Sequence, residues 1–161
     1  MMGLARMVEG KPEQHSPLRA TPAQGYAGDV APTEAWRLLT EDSKAVLVDV
    51  RTMAEWTYVG TPDLSSLGKR PLLVEFQTFP ERDLNPSFVA DVARAVPDKE
   101  APILFLCRSG ARSAAAAALA TARGYSRCYN VAEGFEGDPD RTRHRGAANG
   151  WKVAGLPWVQ T

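Results

Sequence analysis

The most informative stretch of the sequence is ILFLCRSGARSAAAAALA, which occupies residues 103–120. Residues 103–106 are all apolar, which is typical of a strand buried on both faces of a sheet. A polar loop with one glycine follows, and the alanine-rich run after it predicts a helix over 112–123 that Gly124 would end. This order of strand, cysteine, loop and helix predicts one unit of an α/β fold, with Cys107 at the carboxyl end of its strand.

The rest of the chain repeats this alternation of strands and helices. Short runs at 45–50, 72–76 and 127–131 predict further strands. Helices are predicted after Thr33, which would be an N-cap, and over 85–96, where an Asn cap precedes Pro at the first helical position. Right-handed crossovers then produce a mostly parallel sheet of about five strands with helices on both faces. Ligands bind such sheets at the carboxyl ends of the strands.

Composition excludes several functional classes. Lys and Arg number 19 and Asp and Glu also number 19, so the chain has no global field that would hold a nucleic acid. No apolar run approaches the roughly 18 residues of a membrane span, and no membrane association is expected. The first residues lack the apolar stretch of a signal peptide, and two cysteines are too few for a disulfide scaffold. We therefore expect a cytoplasmic, reducing setting.

The amino-terminal segment differs in composition from the rest of the chain. Residues 1–24 mix Gly, Pro, Gln, Ser and charged residues without a sustained apolar period. Such a composition predicts a mobile N-terminal tail. The folded part, a single domain of ordinary size, is then expected over 25–161.

The loop after the cysteine predicts an anion site beside a nucleophile. Successive backbone N–H groups in such a loop form a nest, and the positive end of the following helix dipole points into the same space. Two arginines add full charges, and all three features favour a thiolate, so Cys107 is predicted to be nucleophilic near neutral pH. The alternative is a small apolar residue that ends a core strand, but the position at the ligand-binding edge favours function. The predicted anion-binding loop consists of Arg108, Ser109, Gly110, Ala111 and Arg112.

Four segments together resemble one family. Residues 107–113 resemble the active-site loop of rhodanese-type sulfurtransferases, and 47–51 with the following Glu-Trp resemble the family's Asp-x-Arg segment. Residues 130–137 and 151–158 resemble the stretch after the last strand and the carboxyl-terminal segment. The resemblance spans about 26–158 with the motifs in the family's order. One departure is GTPDL at 60–64, where many rhodanese domains have Gly-His-Ile-Pro-Gly, which makes the neighbouring surface less predictable.

The resemblance implies a rhodanese-like three-layer α/β sandwich and a two-step sulfur transfer. Cys107 would take the outer sulfur from a small anionic donor such as thiosulfate, become a persulfide, and pass the sulfur to cyanide or a thiol. Arg108 would hold the donor, and Arg112 would hold it or brace the loop. Supporting roles fall to Asp49, Arg51 and Ser113, with the Asp49–Arg51 pair bracing the loops. No cofactor is expected, and a metal site has little support, because the two cysteines are far apart and His15 lies in the predicted tail.

Two other functions remain open at the level of sequence. Cysteine phosphatases and arsenate reductases use a similar loop, but with five residues between Cys and Arg, and here Ser113 stands where that arginine would be. Candidate general acids for such an enzyme are Asp63, Asp83 and Asp138. The other alternative is a persulfide carrier or binding module for a specific protein partner, a donor or an acceptor of sulfur.

Other candidate residues receive structural interpretations. Parallel strands would place Cys128 roughly 10–13 Å from Cys107, beyond the Cα separation of about 7 Å that a disulfide allows, so it is predicted to be a core thiol. Arg51 is expected to form a local ion pair with Glu55. The mixed charges at 141–145 predict a solvated face. From the resemblance, Trp151 would cover the mouth of the active site.

Overall fold

The protein folds around a five-stranded parallel sheet, seen in a computed structural model that describes residues 16–161. The strands of residues 16–161 are β1 (Gly28–Val30), β2 (Val46–Asp49), β3 (Thr61–Pro62), β4 (Leu72–Leu73), β5 (Ile103–Leu106), β6 (Cys128–Val131) and β7 (Trp158–Val159). The strand order in the sheet is β1-β6-β5-β2-β4, and every neighbouring pair is parallel. Strands β3 and β7 form a separate antiparallel pair.

Within residues 16–161, four α-helices connect the strands: α1 (Pro32–Glu41), α2 (Met53–Tyr58), α3 (Phe88–Ala95) and α4 (Ala111–Ala122). A short 3-10 helix spans Ser65–Leu67. No helix within residues 16–161 is long and apolar enough to cross a membrane.

The predicted starts of two helices are wrong. Helix α1 begins at Pro32, because proline already has a helical φ and needs no N–H partner in the first turn, so Thr33 lies inside the helix. Helix α3 begins after Ser87. The Asn85 side-chain oxygen accepts a hydrogen bond from the Ser87 N–H, so Asn85 lies in the turn before α3 and does not cap the helix.

The sheet separates two apolar layers, which confirms the predicted three-layer arrangement. Along β5, Ile103 and Phe105 pack toward α3 and α4, whereas Leu104 and Leu106 pack toward α1. All four are fully buried. This two-sided burial explains why the strand is a continuous apolar run and not an alternating one. It also fixes the carboxyl end of β5 between helices on both faces.

Part of the predicted tail packs on the domain. Leu18 and Ala20 contact the layer that contains α1, and Thr21 exchanges backbone hydrogen bonds of 2.8 Å with Asp29. Arg37 donates to the carbonyl oxygens of residues 16 and 17. The packed domain therefore includes residues that precede position 25. The remainder of the predicted tail, residues 1–15, lies outside the described residues.

Candidate functional site

Cys107 follows β5 directly and begins the tight loop that leads into α4. Gly110 has φ of 114°, a left-handed conformation that suits glycine. A Cβ there would also lie 2.2 Å from the carbonyl oxygen of Ala132. The loop is held from the other side by Phe135 N–H, which donates to the Cys107 carbonyl at 2.8 Å, and Glu136 N–H, which donates to the Arg108 carbonyl at 3.0 Å. These backbone hydrogen bonds therefore hold the loop in place independently of its side chains.

The Cys107 sulfur has two polar neighbours. The Gly110 N–H donates to Sγ at 3.1 Å, and the Ser113 Oγ lies 3.1 Å from Sγ. Cys107 is 1% exposed. The Gly110 N–H can donate a hydrogen bond to a sulfur anion, and such a charge-assisted bond is stronger than a neutral one. The arrangement can therefore stabilise negative charge on the sulfur.

A buried polar network orients Ser113. Asn130 donates both amide protons, to Asp29 Oδ1 at 3.0 Å and to the Gly110 carbonyl at 3.2 Å. Its Oδ1 consequently faces Ser113 Oγ, 2.5 Å away, as an acceptor. Tyr26 donates to the same Asp29 oxygen at 2.7 Å, and burial, aided by Asp29, raises the pKa of Tyr26 to about 12. Asn130 was not among the predicted site residues, because its only signal in the sequence is a polar residue inside a buried strand.

The charge of Arg112 is balanced by a carboxylate. Its two terminal nitrogens donate to the two oxygens of Glu55 at 2.8 and 3.0 Å. Burial alone would raise the pKa of Glu55, but the hydrogen bonds and charge of Arg112, together with the hydrogen bonds from Thr52, hold that pKa below its ordinary value. Glu55 also completes a capping box with Thr52 at the start of α2. The predicted ion pair between Glu55 and Arg51 is therefore wrong, because Arg112 occupies the carboxylate.

The Asp49–Arg51 pair lies beneath the loops. Both side chains are fully buried and share hydrogen bonds of 2.9 and 2.7 Å. Arg51 also donates to the Gly60 carbonyl at 2.7 Å, and its guanidinium lies 4.3 Å from the ring centre of Phe135. Neither residue lines the cavity that opens over Cys107. These contacts link the end of β2 to Gly60, which follows α2, and to Phe135, which follows β6, so the pair holds both loops in place.

This cavity over Cys107 has a volume of about 550 Å³. Four arginines and two glutamates line it, so the wall carries a net positive charge. Arg108 is exposed and, among the residues that the structure describes, forms no ion pair. One wall comes from 77–82, which the sequence did not predict to be part of the site. The charged residues of the lining are Glu55, Arg82, Arg108, Arg112, Glu136 and Arg145.

Several predicted candidates lie away from this cavity. Asp63, Asp83 and Asp138, the candidate general acids, do not line it. Trp151 is fully buried, packs edge-on against Trp36 and therefore cannot cover the mouth. The prediction failed because a tryptophan inside the apolar layer that contains α1 gains more from burial than from a place at a solvent-exposed rim.

Two further predictions concern Cys128 and the basic cluster. Cys128 pairs with Ile103, at the amino end of β5, so it lies a strand length from Cys107, as predicted. It is fully buried. The basic cluster at 141–145 is mostly exposed, but Arg145 departs from the prediction and lines the cavity. It also donates to the Gly137 carbonyl at 2.6 Å, which holds it against the loop.

The parallel sheet and the cysteine loop at its edge define a rhodanese-like domain. The chain belongs to the family described as the STR4 middle domain, whose model matches residues 27–161. An uncharacterized protein of Rickettsia rickettsii is 40% identical over 131 residues, which cover 81% of this chain and 95% of that protein. The chloroplastic rhodanese-like domain-containing protein 4 of Arabidopsis thaliana is 26% identical over 127 residues, or 78% of this chain and 24% of its own length.

Solved structures share this fold. The crystal structure of Rv0390 from M. tuberculosis has a TM-score of 0.77 and 49% sequence identity, over 84% of this chain and 99% of that chain. A polysulfide-sulfur transferase from Wolinella succinogenes has a TM-score of 0.54 at 22% identity, over 83% of this chain and 78% of that chain. At 22% identity, the similarity to the Wolinella succinogenes protein shows a shared fold and nothing more.

Proposed function

We propose that the protein is a sulfurtransferase that carries a sulfane sulfur on Cys107. At the level of the family, a rhodanese-like domain supports a general sulfurtransferase-type role. One observation carries the finer assignment. The Cys107 sulfur accepts the Gly110 N–H, lies beside the Ser113 hydroxyl, and lines a cavity whose wall is positively charged.

The proposed reaction has two balanced steps. The Cys107 thiolate attacks the outer sulfur of thiosulfate, a new S–S bond forms at Sγ, and sulfite leaves with the electron pair of the broken S–S bond. An acceptor nucleophile, cyanide or a thiolate, then attacks the outer sulfur of the persulfide. The bond from that sulfur to Sγ breaks, and Cys107 departs as a thiolate. No external oxidant or reductant enters either step.

The residues around the sulfur have distinct proposed roles. The N–H groups of 108–112 stabilise the negative sulfur, because preorganised donors stabilise charge that develops during a reaction. Ser113 gives its one proton to Asn130, which in turn holds the Gly110 carbonyl of the loop. Arg108, which has no carboxylate partner among the described residues, attracts the anionic donor. Arg112 braces α4 against α2, since Glu55 already engages its guanidinium in two hydrogen bonds.

The phosphatase alternative has less support. Its loop needs one more residue before the arginine, and Ser113 occupies that position next to Sγ. None of the three candidate acids lines the cavity. Of the two glutamates that do, Glu55 is ionised and bound to Arg112. Glu136 is then the acidic residue of the lining left to act as a general acid for a phosphoryl leaving group.

A transfer assay from thiosulfate to cyanide tests the proposal. The intact mass after thiosulfate treatment should show one added sulfur, and both signals should vanish in Cys107→Ser. Cys128→Ser is the matched control, because it removes a buried thiol from the neighbouring strand and should keep both signals. Absence of both signals in the folded, reduced wild-type protein would refute thiosulfate as the donor, and hydrolysis of aryl phosphates would favour the alternative.

A further inference from the structure

The cavity wall formed by 77–82 carries a positive charge that transfer to cyanide does not require. Arg82 lines the cavity from this wall, in a segment remote in sequence from the cysteine loop. Among the residues that the structure describes, its guanidinium has no ion-pair partner. An unpaired arginine facing a nucleophile's cavity is available to bind an anion in two hydrogen bonds.

The backbone at Arg82 has an unusual conformation. Its φ is 64°, in the left-handed region where glycine is favoured. The turn is nevertheless well defined, since Arg82 N–H donates to the Thr78 carbonyl at 2.8 Å and Thr78 N–H donates to the Asp83 carbonyl at 2.9 Å. A bridge between Gln77 and Leu84 closes the turn. A large residue held in such a conformation beside a reactive cavity suggests a role for its side chain.

The cavity is large for the proposed donor alone. Its volume of about 550 Å³ lies within the range of roughly 300–1,000 Å³ typical of sites for whole small-molecule ligands. A thiosulfate ion would fill only a small part of that space. Phe79, on the same wall as Arg82, is 67% exposed and offers an apolar surface beside the charge. The site can therefore hold a second substrate that has both an anionic group and a short apolar stem.

We propose that the acceptor of the Cys107 sulfur is a small thiol that carries a carboxylate, and that Arg82 binds this carboxylate. This inference rests on the proposed sulfurtransferase function. The acceptor thiolate attacks the outer sulfur of the persulfide and forms a new S–S bond, while the bond to Sγ breaks and its electron pair stays on Cys107. The products are the acceptor's persulfide and the Cys107 thiolate, so atoms and electrons balance without another reactant.

A small thiol fits the site better than a cysteine on a protein surface. Cys107 is only 1% exposed, although it lines the cavity. A molecule that enters the cavity can bring its sulfur to Cys107 while its carboxylate meets Arg82. A cysteine on a folded partner would have to pass the walls formed by 77–82 and by α2. Two anchored ends also orient the acceptor for attack.

Single-turnover discharge of the persulfide tests the inference. The wild-type protein is loaded with thiosulfate, freed of excess donor, and mixed with N-acetylcysteine or N-acetylcysteine amide, which differ in the carboxylate alone. Discharge is followed by intact mass, and each rate is divided by the concentration of acceptor thiolate. We expect the carboxylate to discharge the persulfide about tenfold faster, since a charge-assisted hydrogen bond has at least that effect.

Substitutions then locate the effect. Arg82→Gln should bring the ratio of the two rates close to one, and Arg82→Lys should restore it in part. Arg127→Gln is the matched control, because it removes the same charge at the amino end of β6, away from the cavity, and should leave the ratio unchanged.

The outcomes separate this inference from the proposed function. Failure of the wild-type protein to take up sulfur would refute the proposed function itself. Normal uptake with equal rates for the two acceptors would overturn only the carboxylate preference. If the Arg82→Gln variant kept the wild-type ratio of the two discharge rates, the proposed role of Arg82 would be overturned. Slow discharge by both small thiols, with fast discharge by a protein thiol such as a reduced thioredoxin, would overturn the choice of a small acceptor.

Discussion

Cys107 and Cys128 are both buried free thiols on neighbouring parallel strands, yet their surroundings differ in every respect that matters for reactivity. Cys107 ends its strand beside an N–H donor, a hydroxyl and a cationic cavity. Cys128 begins its strand in the apolar layer, and burial raises the pKa of its thiol. Burial by itself thus favours an inert thiol, and only the carboxyl end of the sheet supplies the groups that stabilise a thiolate.

The largest expected contrast is in alkylation of the two thiols. At pH 7.5 iodoacetamide should modify Cys107 at least about a thousandfold faster than Cys128, because reaching Cys128 requires opening of a core strand. Peptide mapping over time measures both rates. The raised pKa of Cys128 means that a rise in pH should accelerate its reaction only above the ordinary range of a cysteine thiol. Similar rates at neutral pH would contradict the comparison.

The two ends of α4 offer a second contrast, through glycines that both have left-handed φ. Gly110→Ala would place a Cβ 2.2 Å from the Ala132 carbonyl oxygen, whereas Gly124→Ala would meet nothing closer than 3.9 Å, on Lys99. We expect Gly110→Ala to lower the free energy of unfolding by about 3 kcal/mol and to abolish transfer, and Gly124→Ala to cost about 1 kcal/mol. Urea denaturation measures both. Equal costs would mean that the loop yields to the added atom.

The hydroxyls near the two thiols provide a third contrast. Ser113→Ala removes the hydroxyl 3.1 Å from the Cys107 sulfur and leaves the buried Asn130 Oδ1 without its donor. Because Asn130 also holds the Gly110 carbonyl, we expect the loop to shift and sulfur uptake at neutral pH to slow by about tenfold. The control is Thr121→Val on the same helix, which removes a hydroxyl that donates to the Ala117 carbonyl near Cys128. This control should leave uptake unchanged. Unchanged uptake in Ser113→Ala would show that the backbone donors suffice.

The smallest expected effect concerns the ion pair between α2 and α4. Glu55 has a lowered pKa in the fold, so its contribution is present above the ordinary glutamate value of about 4.3 and is lost as pH falls through the lowered value. Glu55→Gln keeps the capping-box geometry and should cost about 1 kcal/mol at pH 7. The cost should shrink as the pH falls below the ordinary glutamate value and through the lowered pKa of Glu55 in denaturation measurements. A cost independent of pH would indicate lost packing instead of lost charge.

Contacts between residues close in the chain could be predicted from the sequence, and contacts between distant residues could not. The strand, loop and helix around Cys107 are contiguous, so their order alone predicted the position of the cysteine at the edge of the sheet. The partner of Arg112 lies 57 residues away, and the local rule that paired Glu55 with Arg51 failed. Asn130 likewise reaches Asp29 across 101 residues, through the pairing of β1 with β6.

Local patterns of apolar residues, glycine and the lone loop cysteine were sufficient for the fold class and the nucleophile, because secondary structure and strand-end position follow from short-range periodicity. The shape and charge of the cavity required the tertiary structure. The order β1-β6-β5-β2-β4 brings α2, 77–82 and Arg145 around the loop. Those long-range contacts decide which charges are paired and which are not. Arg82 lines the cavity over Cys107 only because a turn distant in sequence folds against the same edge of the sheet.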